Sequence, residues 1–180
     1  SRGLGDVYKR QLVKYAFALF LNHDFEKSLE VANMGLQKNP RHAAFNRLAM
    51  YNYTDLKRFD EAIKAADAFF TESDKADYSY LDYMYYGHLL EALKKYDEAV
   101  GQYEKAIQLD PTKTDLYKNI SSAYEQKNDY KKAISAYQKY YASLDKEKQT
   151  PDLQFQFGRL YYGAGTQPCL LYTSDAADEL

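Results

Sequence analysis

A short sequence pattern recurs along the 180-residue chain at a nearly constant interval. Each copy begins with an aromatic residue and has a small residue three positions later. The aromatic positions are Phe25, Phe59, Tyr96 and Tyr130, and their spacings are 34, 37 and 34 residues. Self-similarity at such a period indicates stacked repeats, each of which buries its apolar face against its neighbour. The chain is therefore expected to form an array of small units.

The residues within one copy follow the period of an α-helix. Between residues 81 and 94, Tyr83, Tyr86, Leu90 and Leu93 recur at intervals of three and four residues, which is the stripe of an amphipathic helix. The chain has only 8 Gly and 4 Pro, which is few for an all-β fold with many tight turns. The pattern predicts pairs of helices joined by turns.

The repeats resemble the tetratricopeptide repeat family, whose unit is a helix–turn–helix of 34 residues. In the best copy, Tyr80–Lys113, the family positions are held by Tyr86-Gly87, Ala99 and Pro111. The resemblance implies an all-α fold, an α-solenoid of stacked helix–turn–helix repeats with right-handed superhelical curvature. The register gives repeat 1 at 12–42, repeat 2 at 43–76, repeat 3 at 80–113, repeat 4 at 114–147, and the first helix of a truncated repeat 5 at 151–168.

Small residues occur where the two helices of a repeat are expected to cross closely. They are Ala16, Gly87, Ser121 and Gly158 in first helices, and Ser28, Ala62, Ala99 and Ala133 in second helices. Extra residues at 77–79 are expected to lengthen a helix or loop without interrupting the stack. Because the fifth copy lacks a second helix, we expect Phe157, Leu160 and Tyr161 to be partly exposed.

The two ends, 1–11 and 169–180, differ from the sequence between them. If residues 6–11 are written as the codons GAT GTG TAT AAG AGA CAG, the complementary strand read one base in encodes Cys-Leu-Leu-Tyr-Thr-Ser, which is residues 169–174. Both segments resemble translated adapters of sequencing libraries. We therefore expect them to be artefactual and the rest to be an internal fragment of a longer protein.

Charge and hydropathy exclude several classes of partner. Lys plus Arg number 24 against 26 Asp plus Glu, and a nucleic-acid-coating protein would need a strong basic excess. No apolar run approaches the roughly 20 residues needed to span a bilayer, so we expect no direct membrane insertion by this fragment. A native stretch without cysteine is compatible with either cytoplasm or periplasm, and the oligomeric state is left open.

The sequence offers no arrangement typical of catalysis or of a metal site. His23, His42 and His88 lie in different repeats and lack zinc-binding spacing. The acidic pair at 97–98 opens a second helix, where the helix dipole favours negative charge. The only cysteine, Cys169, lies in the end segment 169–180. We expect no enzyme activity, no cofactor and no metal.

In the tetratricopeptide family, one face of the first helices lines a concave groove that binds peptides. The residues assigned to that groove are Phe17, Phe20, Tyr51, Met84, Tyr85, His88, Lys118, Asn119, Arg159 and Tyr162. Exposed aromatic residues with a polar tip are favoured at recognition surfaces. The alternative is that these aromatics only pack between repeats, and the sequence leaves both possibilities open.

Some family members bind a C-terminal carboxylate through Lys and Asn on first helices. The corresponding positions in copies one and three hold Val13, Phe17, Leu81 and Tyr85. Only copy four matches in part, with Lys118 and Asn119. The resemblance therefore favours a non-catalytic protein–protein interaction scaffold that binds a peptide or partner helix, but not a carboxylate clamp. The alternative is a structural spacer or regulatory region attached to an enzymatic or membrane domain outside this fragment.

Overall fold

The structure is a computed structural model that describes residues 2–73 and 77–165. Every regular element in these residues is helical, which confirms the predicted all-α class. The α-helices of the described residues are α1 Arg2–Leu21, α2 Phe25–Lys38, α3 Ala43–Asp55, α4 Phe59–Asp67, α5 Tyr80–Ala92, α6 Tyr96–Leu109, α7 Leu116–Gln126, α8 Tyr130–Ala142 and α9 Pro151–Gly163. The segment 169–180 and the last residues of predicted repeat 5, 166–168, lie outside the described residues.

The helices fall into two compact units, Ser1–Lys94 and Lys95–Leu180. In unit 1, α1 to α5 pack in chain order, and the first helices α1, α3 and α5 are also neighbours of one another. In unit 2, α6 to α9 pack in chain order. This packing of each helix on the next is that of an α-solenoid, a fold for which superhelical curvature is typical.

Each unit has an apolar core contributed by both helices of its hairpins. In unit 1 the core includes Phe45, Leu48 and Phe69, all of which are buried. In unit 2 a cluster around Tyr137 and Leu160 joins α8 to α9. The helices that form these cores therefore each contribute one face to them.

A hydroxyl-to-carbonyl hydrogen bond crosses two of the close helix contacts. In the first hairpin, Ser28 of α2 donates from Oγ to the Ala16 carbonyl of α1 at 2.8 Å. In the hairpin of α7 and α8 the serine is on the other helix, and Ser121 Oγ donates to the Ala133 carbonyl at 2.8 Å. All four residues are buried. In each of these two hairpins, one of the small residues predicted at the crossing is thus a serine, and its hydroxyl donates a hydrogen bond to the other helix of the hairpin.

The last helix differs from its prediction. Phe157 and Leu160 are buried rather than partly exposed, because α9 packs on α8 through this face, whereas Tyr161 is partly exposed. The Phe157 ring meets the Tyr137 ring edge-on at a centroid distance of 4.7 Å. The prediction was wrong for the two buried residues because it assigned them to a contact with a following helix, whereas the preceding repeat covers them.

The extra length between the second and third repeats lies in the connection between them, because α4 and the π-helical segment that follows it together have the same length as α2. After α4 the chain continues as a π-helical segment, Ala68–Glu72, which buries Phe69. Ser79 then stands at the N-cap of α5, and its amide and its hydroxyl both donate to Asp82 Oδ2, at 2.7 and 3.0 Å. The insertion predicted at 77–79 therefore lengthens the connection before α5 and leaves the second helix of repeat 2 at the length of its counterpart in repeat 1.

The turn within each hairpin places one residue in the left-handed region. His23, Lys57, Lys94 and Asn128 have φ values of 59°, 58°, 60° and 60°. Around Lys57, the amide of Arg58 donates to the Tyr53 carbonyl at 2.8 Å and that of Lys57 donates to Thr54 at 3.0 Å. These are the two bonds of a Schellman helix end, which favours glycine.

Lys57→Gly is therefore expected to raise the free energy of unfolding by about 0.5–1 kcal/mol, because it removes left-handed strain that exceeds the entropy cost of glycine. The measurement is urea denaturation followed by circular dichroism. Lys64→Gly, exposed in the interior of α4, serves as the control and is expected to lower stability by about 1 kcal/mol. Equal losses in the two variants would contradict the prediction.

Candidate functional site

Five rings on α1, α3 and α5 form one continuous set of contacts, here called the aromatic cluster: Phe17, Phe20, Tyr51, Tyr85 and His88. The distances between successive ring centroids are 6.1 Å for Phe17–Phe20 and 5.5 Å for Phe20–Tyr51. They are 4.3 Å for Tyr51–Tyr85 and 6.2 Å for Tyr85–His88. The structure thus brings five of the predicted groove residues together across three first helices.

The members of the aromatic cluster differ in exposure. Phe17 is 41% exposed, and Tyr85 and His88 are partly exposed. Phe20 is buried, and Tyr51 is only 1% exposed. Phe20 and Tyr51 therefore support the surface from below, which corrects their predicted role as ligand-contacting residues. Packing between first helices takes these two rings out of solvent.

A buried carboxylate lies beneath this surface. Asp82 of α5 is fully buried and accepts hydrogen bonds from Arg47 Nε at 2.7 Å and from the Tyr51 hydroxyl at 2.6 Å. Arg47 Nη2 and the Ser79 amide donate to its other oxygen at 3.0 and 2.7 Å. Burial, followed by the charge of Asp82, raises the pKa of Tyr51 far above its usual value, so the phenol stays protonated and donates. This network fixes α3 against α5.

A second carboxylate lies at the edge of the aromatic cluster. Asp55, the last residue of α3, accepts a hydrogen bond on Oδ2 from the Tyr85 hydroxyl at 3.0 Å. Partial burial raises the pKa of Asp55, opposed by the Tyr85 hydrogen bond and by the charges of His88 and His23. Burial and the nearby Asp55 charge likewise raise the pKa of Tyr85. A raised carboxyl pKa means that ionised Asp55 opposes folding at neutral pH, and that this opposition disappears as the group is protonated.

The other predicted groove residues take no part in the ring contacts of the aromatic cluster. Met84 is partly exposed on α5, and Lys118 and Asn119 are on α7 in unit 2, the former exposed and the latter partly so. Arg159 of α9 donates from Nη2 to Glu125 of α7 at 2.9 Å. Arg159 is thus engaged by an ion pair within unit 2.

An exposed ring on α9 was missed by the sequence analysis. Phe155 is 75% exposed, and Tyr162, which was predicted, is 81% exposed. Together with Arg159 they occupy positions i, i+4 and i+7, one side of a helix. The sequence pattern could have identified Phe155, because it occupies the repeat position that Met84 and Lys118 hold in the earlier copies.

A depression of about 450 Å³ lies between α1 and the start of α3. Basic residues contribute much of its lining, namely Lys9, Arg10 and Lys14, with His42 at its edge. Two of these, Lys9 and Arg10, belong to the segment 1–11 that the sequence predicts to be adapter-derived. The depression therefore carries no functional assignment.

Within 2–73 and 77–165, His, Cys, Asp and Glu side chains do not gather in groups of three or more that could hold a metal ion. Over the same ranges, each helix is too short or too polar to cross a bilayer.

Two family models match the chain. One, described as a TPR repeat, matches residues 87–128, and the other, described as a tetratricopeptide repeat, matches residues 116–151. None of the curated proteins matches the sequence. The matched region contains α6 to α8, together with the end of α5 and the start of α9.

Several solved structures are similar in fold. The C-terminal part of a TPR repeat-containing protein from Cytophaga hutchinsonii is 25% identical with a TM-score of 0.72, over 85% of this chain and 58% of that one. The present chain thus spans little more than half of that relative. MamA is 20% identical with a TM-score of 0.67, over 84% of its length and 83% of this chain. YrrB, described as a TPR protein with an unusual peptide-binding site, is 15% identical with a TM-score of 0.70, over 87% of this chain and 78% of its own.

Proposed function

Since this chain carries tetratricopeptide repeats over residues 87–151, we propose that it is a non-catalytic protein-interaction scaffold that binds a peptide or partner helix. The binding surface is the exposed side of the first helices in unit 1. The observation that carries the proposal is the aromatic cluster, which runs without interruption from Phe17 on α1 to His88 on α5.

The cluster has the properties of a recognition surface. Phe17, Tyr85 and His88 present ring surface to solvent, while the buried Phe20 and Tyr51 hold them in place. Rings supply contact area at a low cost in side-chain entropy, and the polar tips of Tyr85 and His88 add hydrogen-bonding capacity. The same function is supported by YrrB, a TPR protein of similar fold that has a peptide-binding site.

Phe17→Ala is expected to weaken the binding of a selected peptide at least about tenfold, because it removes the most exposed ring of the cluster without opening the core. Peptides of 12 residues are first selected from an unbiased display library on the intact chain. Their affinities are then measured by fluorescence anisotropy. The control is Tyr15→Ala, which removes an exposed ring of α1 that lies towards Lys27 of α2.

Two outcomes would contradict the proposal. Equal losses of peptide affinity in the Phe17 and Tyr15 variants would mean that the peptide does not bind at the aromatic cluster. Failure to select any peptide would favour the alternative function, a spacer or regulatory region attached to an enzymatic or membrane domain. Tyr51 is not a suitable position for such a test, because its hydroxyl is buried against Asp82.

The predicted origin of the two end segments stays a proposal as well. Helix α1 begins at Arg2 and continues through residues 2–11 into the repeat. A helical conformation is compatible with either origin, since a following amphipathic helix can extend into adjoining residues. Sequencing the parent gene across both ends distinguishes them: continuous coding sequence through 1–11 would overturn the adapter assignment.

A further inference from the structure

Asp55 is accessible to solvent, and one of its two carboxylate oxygens accepts no hydrogen bond from the described residues. The residue is exposed at the C-terminal end of α3, and its Oδ2 accepts the Tyr85 hydroxyl. In the described part of the chain, Oδ1 accepts no hydrogen bond, and neither oxygen lies within ion-pair distance of a Lys or Arg. Asp82, on the other side of Tyr51, is by contrast fully paired with Arg47.

The carboxylate of Asp55 lies next to an aromatic ring of the cluster, that of Tyr85. Tyr85 stacks on Tyr51 and meets Phe20 edge-on at a centroid distance of 5.9 Å. Aromatic faces attract cations, and the planar guanidinium of arginine both stacks on rings and pairs with carboxylates. The Tyr85 ring and the Asp55 carboxylate are adjacent, because the Tyr85 hydroxyl donates a hydrogen bond to Asp55.

We propose that Asp55 and the aromatic cluster bind a cationic side chain of the peptide partner, with arginine preferred over lysine. Asp55 Oδ1 accepts from the cation, and the ring of Tyr85, whose hydroxyl donates to Oδ2 of the same carboxylate, contacts its stem. The inference rests on the proposed function and specifies the ligand class for that surface. An acidic ligand group is disfavoured here, since it would approach the Asp55 charge.

The electrostatic state of the free protein agrees with this assignment. Partial burial raises the pKa of Asp55, and the groups that oppose the shift are the Tyr85 hydroxyl and the charges of His88 and His23. The chain itself therefore compensates the carboxylate only in part. A bound guanidinium supplies the remaining compensation, since an opposite charge at short range favours the ionised carboxylate.

The test begins with the 12-residue peptides selected on the intact chain. They are expected to be enriched in arginine, and replacing that arginine with the neutral isostere citrulline is expected to weaken binding at least tenfold. In Asp55→Asn the arginine and citrulline peptides are expected to bind within twofold of each other. The matched control is Asp60→Asn, an exposed aspartate of α4 outside the cluster, which is expected to keep the tenfold preference.

The possible outcomes separate this inference from the proposed function. Peptides that bind without arginine or lysine enrichment, or a citrulline effect that persists in Asp55→Asn, would overturn the inference and leave the scaffold function standing. Selection of no peptide would overturn both. Asp55→Asn is expected to melt at pH 7 no lower than the unmodified chain, because it removes a carboxylate whose ionisation opposes folding. Asp55→Ser provides a second neutral variant, with the same loss of preference expected.

Discussion

Asp82→Ala is expected to lower the free energy of unfolding of unit 1 by about 3–5 kcal/mol, which is a large fraction of the stability of a small domain. The substitution leaves the Tyr51 hydroxyl buried without an acceptor and the Arg47 guanidinium without its counter-charge. Desolvation of such unpaired groups is not recovered elsewhere in the fold. The measurement is amide hydrogen exchange in α3 and α5, which reports on unit 1 separately from unit 2.

The control is the truncation of a partly exposed acidic residue in the same unit. Glu61→Ala removes an ion pair with Arg58 at the surface of α4 and is expected to change stability little. Asp82→Asn keeps an acceptor for Tyr51 but removes the counter-charge of Arg47, so its loss should lie between the other two. A loss in Asp82→Ala as small as that in Glu61→Ala would show that the network does not stabilise the contact between α3 and α5.

Phe157→Ala is expected to lower the stability of unit 2 by about 3–5 kcal/mol. Phe157 is 7% exposed and meets the rings of Tyr137 and Tyr141 at centroid distances of 4.7 and 5.3 Å. Its removal leaves a cavity between α8 and α9. Urea denaturation followed by circular dichroism, with hydrogen exchange in α9, measures the loss.

Phe155 provides a control of the same residue type on the same helix. Because Phe155 is 75% exposed, Phe155→Ala is expected to change the unfolding free energy by no more than about 0.5 kcal/mol. Similar effects at both positions would mean that α9 is not docked on α8 as described. Both variants replace Phe with Ala on α9, so a difference in stability between them cannot come from the helix propensities of these two residue types.

The sequence predicts the helical pairs because their signals are local. The stripe of Tyr83, Tyr86 and Leu90 repeats at the helical period, and α5 spans all three. The cap of α8 is equally local, since the carboxylate of Asp129 accepts the Lys132 amide at 3.3 Å. Such features depend on residues within one or two turns, so one sequence is enough to find them.

The properties of the candidate site depend on contacts between helices, and there the predictions were incomplete. The register of the repeats predicts that Tyr51 and Tyr85 lie on one face. The burial of Tyr51 depends on its hydrogen bond to Asp82, which is 31 residues away in the sequence. In the sequence, Asp82 resembles any acidic residue in the first turn of a helix. Its burial depends on Arg47 being close in space, which the sequence pattern does not specify.

The serine that crosses the helix contact has a consequence for how such repeats diverge. Ser28 bonds to Ala16 from the second helix, and Ser121 bonds to Ala133 from the first. The acceptor is a backbone carbonyl, which every residue carries, so the bond needs only one hydroxyl and either helix of the hairpin can supply it. The corresponding positions of the third repeat, Gly87 and Ala99, have no hydroxyl. Alanine and serine can therefore replace one another singly as repeats diverge, and each such exchange adds or removes one hydrogen bond while the side chain stays small enough for the close helix contact.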